Sequence, residues 1–341
     1  MFKVFTFVCC FFSSLAQSQS ASTSQQDKIS WYQFTFENDV MSARNSSDDG
    51  YSNGMSYAWG ALGYNAFSSI EMPDWIRFLS DWTYINQDTE KQYSIAYGIS
   101  QSIYTPSELS QITLIEDDRP YAGTLLWHSK IRSYADNRAN SLGLILGVAG
   151  PASFAEQSQT IIHEIIDATT PEGWDNQINN ELVFRVEAEH IERFYIYSFS
   201  ENISFDTSSY SELGVGNLRS DIGTGLTVRI GNMLDQSYAS ISANTSRLIS
   251  GLSAHSNNTF YWQLFTSVYA SYLFNDITLN GNTFSDSHSV ELIHEQVIAS
   301  MGVSALYHHW GFVFSVLRGN KQFEGQENVS KYGSFTISYQ Y

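Results

Sequence analysis

KYGSFTISYQY, residues 331–341, ends the chain with the alternation of a β-strand that has one apolar face. Successive side chains of a strand point to opposite faces, so a period of two separates an apolar set from a polar set. The two sets are Phe335, Ile337, Tyr339 and Tyr341 against Ser334, Thr336, Ser338 and Gln340. A soluble sandwich can also end on such a strand, so the class of β-protein depends on the rest of the chain.

The first sixteen residues have the pattern of a cleavable secretion signal. Lys3 supplies the positive charge, Val4–Phe12 form a short apolar core, and Ser14 and Ala16 give a small-x-small cleavage site. The apolar core is too short to cross a bilayer as a helix.

A lipoprotein signal is the alternative reading of this segment, because Cys9 and Cys10 are present. Both cysteines lie inside the apolar core, with bulky residues before them. We therefore expect a signal peptide at 1–16, a polar segment at 17–30 and a single β-barrel domain at 31–341.

Composition excludes several classes of function. Cleavage after Ala16 leaves no cysteine, which removes disulfide scaffolds, thiolate metal sites and cysteine nucleophiles. The chain has 17 Lys+Arg against 35 Asp+Glu, a net charge of −18, so it has no electrostatic footprint for nucleic acid.

Alternation recurs along the whole chain and predicts about twelve strands. Only five prolines occur, and aromatic residues make up 15% of the sequence. The strands are predicted near 30–39, 52–62, 91–103, 121–134, 140–149, 180–190, 193–206, 218–231, 259–275, 286–306, 310–321 and 331–341. An even count places both termini on the periplasmic side of a membrane barrel.

Charged residues inside the predicted strands favour a barrel over a sandwich. A barrel turns its apolar face to lipid and its polar face to the lumen, whereas a sandwich buries its apolar face in a core. The polar faces carry Arg185, Glu187, Glu189, Asp221 and Arg229. With the secretion signal and a last residue that resembles the end of bacterial outer-membrane proteins, this pattern predicts an all-β transmembrane antiparallel barrel.

Two connections are predicted to contain short helices. In the extracellular loop that follows Gly150 and Pro151, residues 154–167 read as an amphipathic helix with an apolar patch beside His163. MPDWIRFLSDW, in the long periplasmic connection 63–90, reads as a helix lying at the interface.

Two further motifs lie in predicted extracellular loops. FTFENDVMSARNSSDDGYSNG, residues 34–54, clusters carboxylate, amide and hydroxyl oxygens, which suit a hard cation such as Ca²⁺ but also an ordinary solvated hairpin. Asn38 and Asp39 would point to opposite faces if the strand were regular there. In DDRPYAG, Asp118 and Arg119 are predicted to form a charge-assisted pair that supports the loop.

Three motifs, in order, resemble the family of outer-membrane lipid A 3′-O-deacylases. They are ENDxxx with YSNG after an acidic loop, IYTP followed by DDRPYAG, and GPASFxEQxQxxxH…GWDNQxxNE. Together they span residue 31 to about residue 185, and barrel-like strands cover the rest.

The resemblance implies a twelve-stranded barrel in the outer membrane whose active site faces the outer leaflet. It implies Ca²⁺-dependent hydrolysis of the 3′-linked acyloxyacyl group of lipid A, with His163 as the base, Asn38 and Asp39 beside the cation, and Ser52 as the hydroxyl residue. The implied partners are lipid A or lipopolysaccharide as substrate, the lipids of the outer membrane, and the barrel-assembly machinery during biogenesis.

The chain departs from the family pattern at two positions. Characterised members also use a lysine in the second loop and a glutamate after the histidine, and the nearest positions by spacing here are Gln111 and Thr169. Glu164, Asp167 or Glu172 could take over the role of the glutamate.

Two other functions stay open at this level. An outer-membrane phospholipase would need a serine nucleophile near His163, and Ser52 is the candidate. A passive porin or a barrel without activity is the alternative from another class, although twelve strands enclose only a narrow lumen.

Overall fold

The twelve strands of the chain close into one antiparallel barrel. The computed structural model describes residues 28–41, 50–87, 92–135, 137–200, 202–234 and 260–341. Each strand pairs with its neighbours in the sequence, and β1 pairs with β12 to close the sheet. The strands are β1 (Ile29–Asn38), β2 (Gly50–Tyr64), β3 (Gln92–Thr105), β4 (Ala122–Tyr134), β5 (Arg138–Ala149), β6 (Glu181–Ser200), β7 (Ile203–Val215), β8 (Arg219–Gly231), β9 (Tyr261–Asp276), β10 (Glu295–Tyr307), β11 (Trp310–Gly319) and β12 (Lys331–Gln340).

The predicted all-β barrel of about twelve strands, with a short helix in one long loop, is therefore confirmed. The predicted signal peptide at 1–16, most of the polar segment at 17–30 and the acidic part of the first loop lie outside the described residues. Among the described residues, no helix is long and apolar enough to span a membrane.

The predicted boundaries of the sixth and seventh strands are wrong. β6 runs without interruption to Ser200, and β7 covers most of the segment 207–217 that the sequence predicts as a loop. The pairing of β6 with β7 shifts register between Arg193 and Tyr195. Such a bulge moves the following side chains to the other face, so the alternation breaks although the strand continues. β10 likewise begins at Glu295, because residues 286–294 belong to the preceding loop.

The lumen holds a network of buried ion pairs. Arg185 reaches Glu212, Asp221 at 2.7 Å and Glu187 at 3.2 Å, and Lys130 lies 2.9 Å from Glu187. The inward positions predicted from the sequence are confirmed as buried: Arg185, Glu187, Glu189, Asp221 and Arg229. Paired charges of both signs therefore occupy the lumen, which does not favour a wide pore.

The barrel has two rims with different connections. We call the end where β1, β3, β5, β7, β9 and β11 finish the upper rim, and the opposite end, with Tyr341, the lower rim. The upper rim carries the longest described loop, which contains helix α2 (Ala155–Ile166), and the loop with helix α3 (Ile277–Asn280). The lower-rim connection from β2 to β3 contains helix α1 (Asp74–Asp81), so the helix predicted in this connection is confirmed.

Candidate active site

A row of paired residues crosses the upper part of four neighbouring strands. Asn38 of β1 pairs with Asn53 of β2, Asn53 pairs with Ile103 of β3, and Ile103 pairs with Gly123 of β4. Directly paired residues of an antiparallel sheet have side chains on the same face. We call Asn38, Asn53, Ile103 and Gly123 the site row.

The site row lies on the outer face of the barrel, away from the lumen. Four residues from the site row along each strand, Phe34 of β1 pairs with Tyr57 of β2, and Tyr57 pairs with Ile99 of β3. All three side chains are exposed, as expected for residues that face lipid. Because side chains alternate with a period of two, Asn38 and Asn53 share their face.

Asn38 and Asp39 occupy the end of β1. Asn38 is the last residue of the strand, and Asp39 begins a single turn of 3-10 helix that ends at Met41. The side chain of Asp39 is buried. The regular alternation that would send these two side chains to opposite faces therefore stops at Asn38. The turn packs closely on β12, where a Cβ atom added at Gly333 would lie 2.5 Å from Cβ of Met41.

Ser52 is the extra residue of a β-bulge. Tyr51 pairs with Tyr104 and Asn53 pairs with Ile103, so Ser52 has no partner of its own in the ladder of β3. Bulges bend a strand and change the direction of its side chains, and they are frequent beside active sites. The backbone of this hairpin is therefore irregular on both sides of the loop, at Asp39 and at Ser52.

Asn53 is the polar residue of this region that sequence reasoning did not single out. Its side chain is 5% exposed, and within the described part of the chain its Oδ1 atom has no hydrogen-bond partner. A buried amide oxygen without a partner costs about 1–3 kcal/mol, so such atoms often mark the place of a ligand. Its only signal in the sequence is its place in the YSNG motif.

The long loop between β5 and β6 folds back over the outer face of the wall. Gly150 has a φ of 90°, which turns the chain at the end of β5, and its N–H donates to the carbonyl of Gly123 at 2.9 Å. Nε2 of Gln101 donates to the carbonyl of Ser153 at 2.6 Å. Helix α2 starts from this turn and packs against β3 and β4.

Gly123 is what allows helix α2 to approach the wall. A Cβ atom at this position would lie 2.2 Å from Cβ of Ala155 and 2.2 Å from Oγ of Ser153. Real Cβ atoms essentially never make such contacts.

Gly123→Ala is therefore expected to lift helix α2 from the wall while the barrel stays closed. Overpacking of this kind costs about 1–3 kcal/mol, so amide hydrogen exchange within 155–166 should accelerate by about tenfold or more. Gly319→Ala is the matched control, because its nearest neighbour would lie at 3.5 Å. Equal protection of the helix in both variants would contradict the packing described here.

His163 lies on the side of helix α2 that faces the barrel. Ala155, Gln159 and His163 are spaced by four residues, which places them on one face of a helix, and all three are buried. Nδ1 of His163 lies 2.6 Å from the carbonyl oxygen of Thr169. A carbonyl can only accept, so Nδ1 carries the proton and Nε2 has the free lone pair.

Gln159 is a second buried polar residue that sequence reasoning missed, one helical turn before His163. Its Oε1 accepts a hydrogen bond from Nε1 of Trp174 at 2.9 Å. Its Nε2 has no hydrogen-bond partner among the described residues, although the side chain is only 1% exposed. Helix α2 therefore presents a hydrogen-bond donor as well as an imidazole to the space beside the wall.

Asp118 and Arg119 hold the second loop, but not as the predicted pair of side chains. Oδ1 of Asp118 accepts from the backbone N–H of Arg119 at 2.7 Å, and Oδ2 accepts from Ser107. The guanidinium of Arg119 lies 4.7 Å from the ring centre of Tyr104. The two side chains differ in burial. The carboxylate of Asp118 bonds to its own loop, whereas the guanidinium of Arg119 is fully buried under the neighbouring loops.

The buried guanidinium connects three loops of the upper rim. It donates to Oγ1 of Thr278 at 3.3 Å and to Oε1 of Gln322 at 3.4 Å. Burial lowers the pKa of Arg119 from its usual range, although Tyr104, Asp276 and Asp118 oppose this shift. Arg119 of the second motif therefore links its own loop to two other loops of the upper rim.

The second and third loops are joined next to the site. The ring of Tyr121 packs at a tilt against Trp174 with ring centres 4.9 Å apart, and Gly173 lies against both Tyr121 and the carbonyl of Gln111. The amide of Gln111 donates to Thr113 at 3.3 Å in an exposed position. Gln111 is thus near the third loop, while Thr169 contacts His163 through its carbonyl rather than its side chain.

The predicted site residues thus lie on neighbouring elements of one rim. Asn38, Asp39 and Ser52 lie where β1 ends and β2 begins, and His163 lies on the helix that covers β3 and β4. Among the described residues, no group of three or more His, Cys, Asp or Glu side chains could hold a metal ion. Within the described part of the loop, the side-chain oxygens next to the end of β1 are the amide oxygens of Asn38 and Asn53 and the carboxylate of Asp39.

The comparisons with known proteins agree with this fold. The family described as outer membrane protein LpxR matches residues 4–341. The structure of LpxR from Salmonella typhimurium superposes with a TM-score of 0.73 at 17% identity, covering 91% of this chain and 99% of that one. The β domain of the Bordetella autotransporter BrkA has a TM-score of 0.44 at 10% identity, covering 92% and 98%. None of the curated proteins matches the chain.

The match to the family extends over nearly the whole sequence and includes all twelve strands and all three loop motifs. The chain therefore belongs to the family of the outer membrane protein LpxR, the outer-membrane lipid A 3′-O-deacylases.

Proposed function

We propose that this protein is an outer-membrane ester hydrolase that removes the 3′-linked acyloxyacyl group of lipid A. One observation carries the proposal: a buried imidazole with an oriented Nε2 lies on a helix packed against the outer face of the barrel. A lipid substrate in the outer leaflet approaches a barrel from this side. Family membership supports the same reaction.

His163 acts as a general base in this proposal. Its Nε2 takes a proton from a water molecule, and the water oxygen attacks the carbonyl carbon of the ester. The tetrahedral intermediate then breaks its bond to the sugar oxygen, which receives the proton from the imidazolium. The products are the free acyloxyacyl acid and a 3′-hydroxyl group. No serine or cysteine nucleophile is required.

The carbonyl of Thr169 orients the base. It accepts the Nδ1 proton at 2.6 Å, where other members of the family are expected to use a glutamate. A carbonyl dipole fixes the tautomer and the ring as a carboxylate does, but it carries no full charge and stabilises the imidazolium less. This chain therefore keeps the orientation of the base with a weaker electrostatic partner.

The amide and carboxylate oxygens at the end of β1 and the beginning of β2 fit a hard cation. The buried Oδ1 of Asn53 has no partner among the described residues, and its side chain is on the same face as that of Asn38. Together with Asp39 these residues would hold Ca²⁺, which prefers oxygen ligands of this kind. A bound Ca²⁺ ion supplies positive charge to stabilise the oxyanion of ester hydrolysis.

Mass spectrometry of lipid A treated with the purified, folded protein tests this function. We expect loss of the 3′-acyloxyacyl mass with Ca²⁺, a decrease of at least about tenfold in rate with EDTA, and recovery when Ca²⁺ is added back. Unchanged lipid A in every sample would contradict the proposed reaction. Undiminished hydrolysis in EDTA would contradict a role for the cation and leave the role of His163 as base standing. Release of fatty acid from phosphatidylethanolamine instead of lipid A would indicate a phospholipase.

A further inference from the structure

Two helices cover the outer face of β3 and β4 from opposite rims. Helix α2 covers the upper part, where it meets Gly123. Helix α1 and its flanking residues cover the lower part, where Ile76 and Ile85 join a buried cluster with Ile95 and Ile131 of the wall. Between the two helices lies a strip of the wall, across β2, β3 and β4, that no other described element covers.

The strip is apolar and begins directly below the site row. Tyr57 pairs with Ile99, and Ile99 pairs with Trp127, so these three share the outer face. Ile99 is 49% exposed and Tyr57 is 39% exposed. One pair closer to the site, Met55 and Leu125 flank Gln101, whose amide is held by the carbonyl of Ser153. A chain of methylene groups could therefore lie on this strip without meeting a charge.

An arc of aromatic rings closes the lower end of the strip. Consecutive ring centres are 5.7 Å apart for Tyr57 and Trp59, 6.1 Å for Trp59 and Tyr97, 6.2 Å for Tyr97 and Trp127, and 6.0 Å for Trp127 and Trp75. The last ring belongs to helix α1, so the helix and the wall form one barrier. We call these five residues the aromatic arc.

The distance from the site row to the aromatic arc matches one acyl chain. Four residues separate Ile103 from Ile99 and Asn53 from Tyr57, and at about 3.3 Å per residue this is about 13 Å along the strand. Half of the hydrocarbon core of a bilayer, which one acyl chain spans, is about 15 Å. A chain whose carbonyl lies at the site row would therefore end at the arc.

We propose that the strip binds the acyl chain that is to be released, and that the aromatic arc sets the longest chain the enzyme accepts. This inference rests on the proposed function and adds the substrate specificity of the same site. The carbonyl end of the chain lies near His163 and its methyl end contacts Trp127 and Trp75. Longer chains meet the arc and hold the ester away from the base.

Binding of the acyl chain to the strip is tested with a protein that does not hydrolyse the substrate. The probe is a lipid A analogue with a diazirine at the methyl end of its 3′-linked acyl chain, mixed with the His163→Ala protein and irradiated. We expect the labelled peptides to contain Trp127 or Trp75. Leu226, an exposed residue of β8, lies on a different part of the wall and should stay unlabelled. Label spread evenly around the barrel, or no label at the arc, overturns the proposal.

The specificity part uses lipid A substrates that differ only in the length of the 3′-linked chain. Ile99→Trp shortens the strip and should slow hydrolysis of the longest substrate by about tenfold or more relative to the shortest, the usual scale of hydrophobic discrimination. Leu226→Trp is the matched control and should keep the wild-type profile. The same dependence of rate on chain length in both variants overturns the proposal that the arc limits chain length. If wild-type protein hydrolyses nothing while the arc is labelled, the proposed function fails and the binding strip stands.

Discussion

His163→Ala is expected to lower the rate of lipid A deacylation by about 10²–10⁴-fold, the usual contribution of a general base. The reason is local: the imidazole is the group whose Nε2 remains free to take a proton, because Nδ1 donates to the carbonyl of Thr169 at 2.6 Å. The measurement is the rate of loss of the 3′-acyloxyacyl mass, with the fold checked by the mobility of the unheated barrel in a gel.

His190→Ala is the control for this change. His190 lies on the wall of β6, where its Nδ1 contacts Oδ1 of Asn140 at 2.7 Å, far along the strand from the upper rim. Its removal should leave the rate within about twofold of wild type, as surface substitutions away from special features usually do. Wild-type activity in the folded His163→Ala protein would exclude the imidazole as the base and direct attention to a nucleophilic mechanism at Ser52.

Arg185→Ala is expected to destabilise the barrel by about 3–5 kcal/mol, because it removes a guanidinium that buried carboxylates share. The guanidinium reaches three of them: Glu187, Glu212 and Asp221. Removing it leaves negative charges close together in the lumen. The free energy of unfolding in urea, measured in lipid vesicles, reports the loss directly.

Arg138→Ala serves as the comparison for the same chemical change. Arg138 is the exposed first residue of β5, next to the turn after β4. An exposed charge contributes about 0–1 kcal/mol, so this variant should unfold close to wild type. Equal unfolding free energies for the two variants would contradict a structural role for the ion pairs of the lumen.

The absent family residues bear on how the site works. Gln111 is a neutral amide that donates a hydrogen bond to Thr113 of its own loop, so it supplies no positive charge for a substrate phosphate. The backbone carbonyl of Thr169 orients the imidazole of His163, so the proposed base is ordered without a carboxylate beside it. A sequence motif records side chains, so it does not show a hydrogen bond that a backbone carbonyl accepts.

The sequence by itself determined the barrel, the number of its strands and which residues face the lumen. This was possible because the face of a side chain follows from its position in a strand, so charged positions such as Arg185 and Glu187 reveal a polar interior. The prediction from sequence failed at the β-bulge between Arg193 and Tyr195, where the alternation of inward and outward side chains is interrupted. Alternation identifies a strand only where the strand is regular.

Only the tertiary structure decided where the candidate site lies. Pairing register brings Asn38, Asn53, Ile103 and Gly123 into one row, although they are spread over many residues of sequence. Whether a loop helix covers the lumen or the outer wall depends on close packing at a single position, and the lack of a side chain at Gly123 allows helix α2 to lie on the outside. Such contacts are long-range and depend on shape, so no local pattern encodes them.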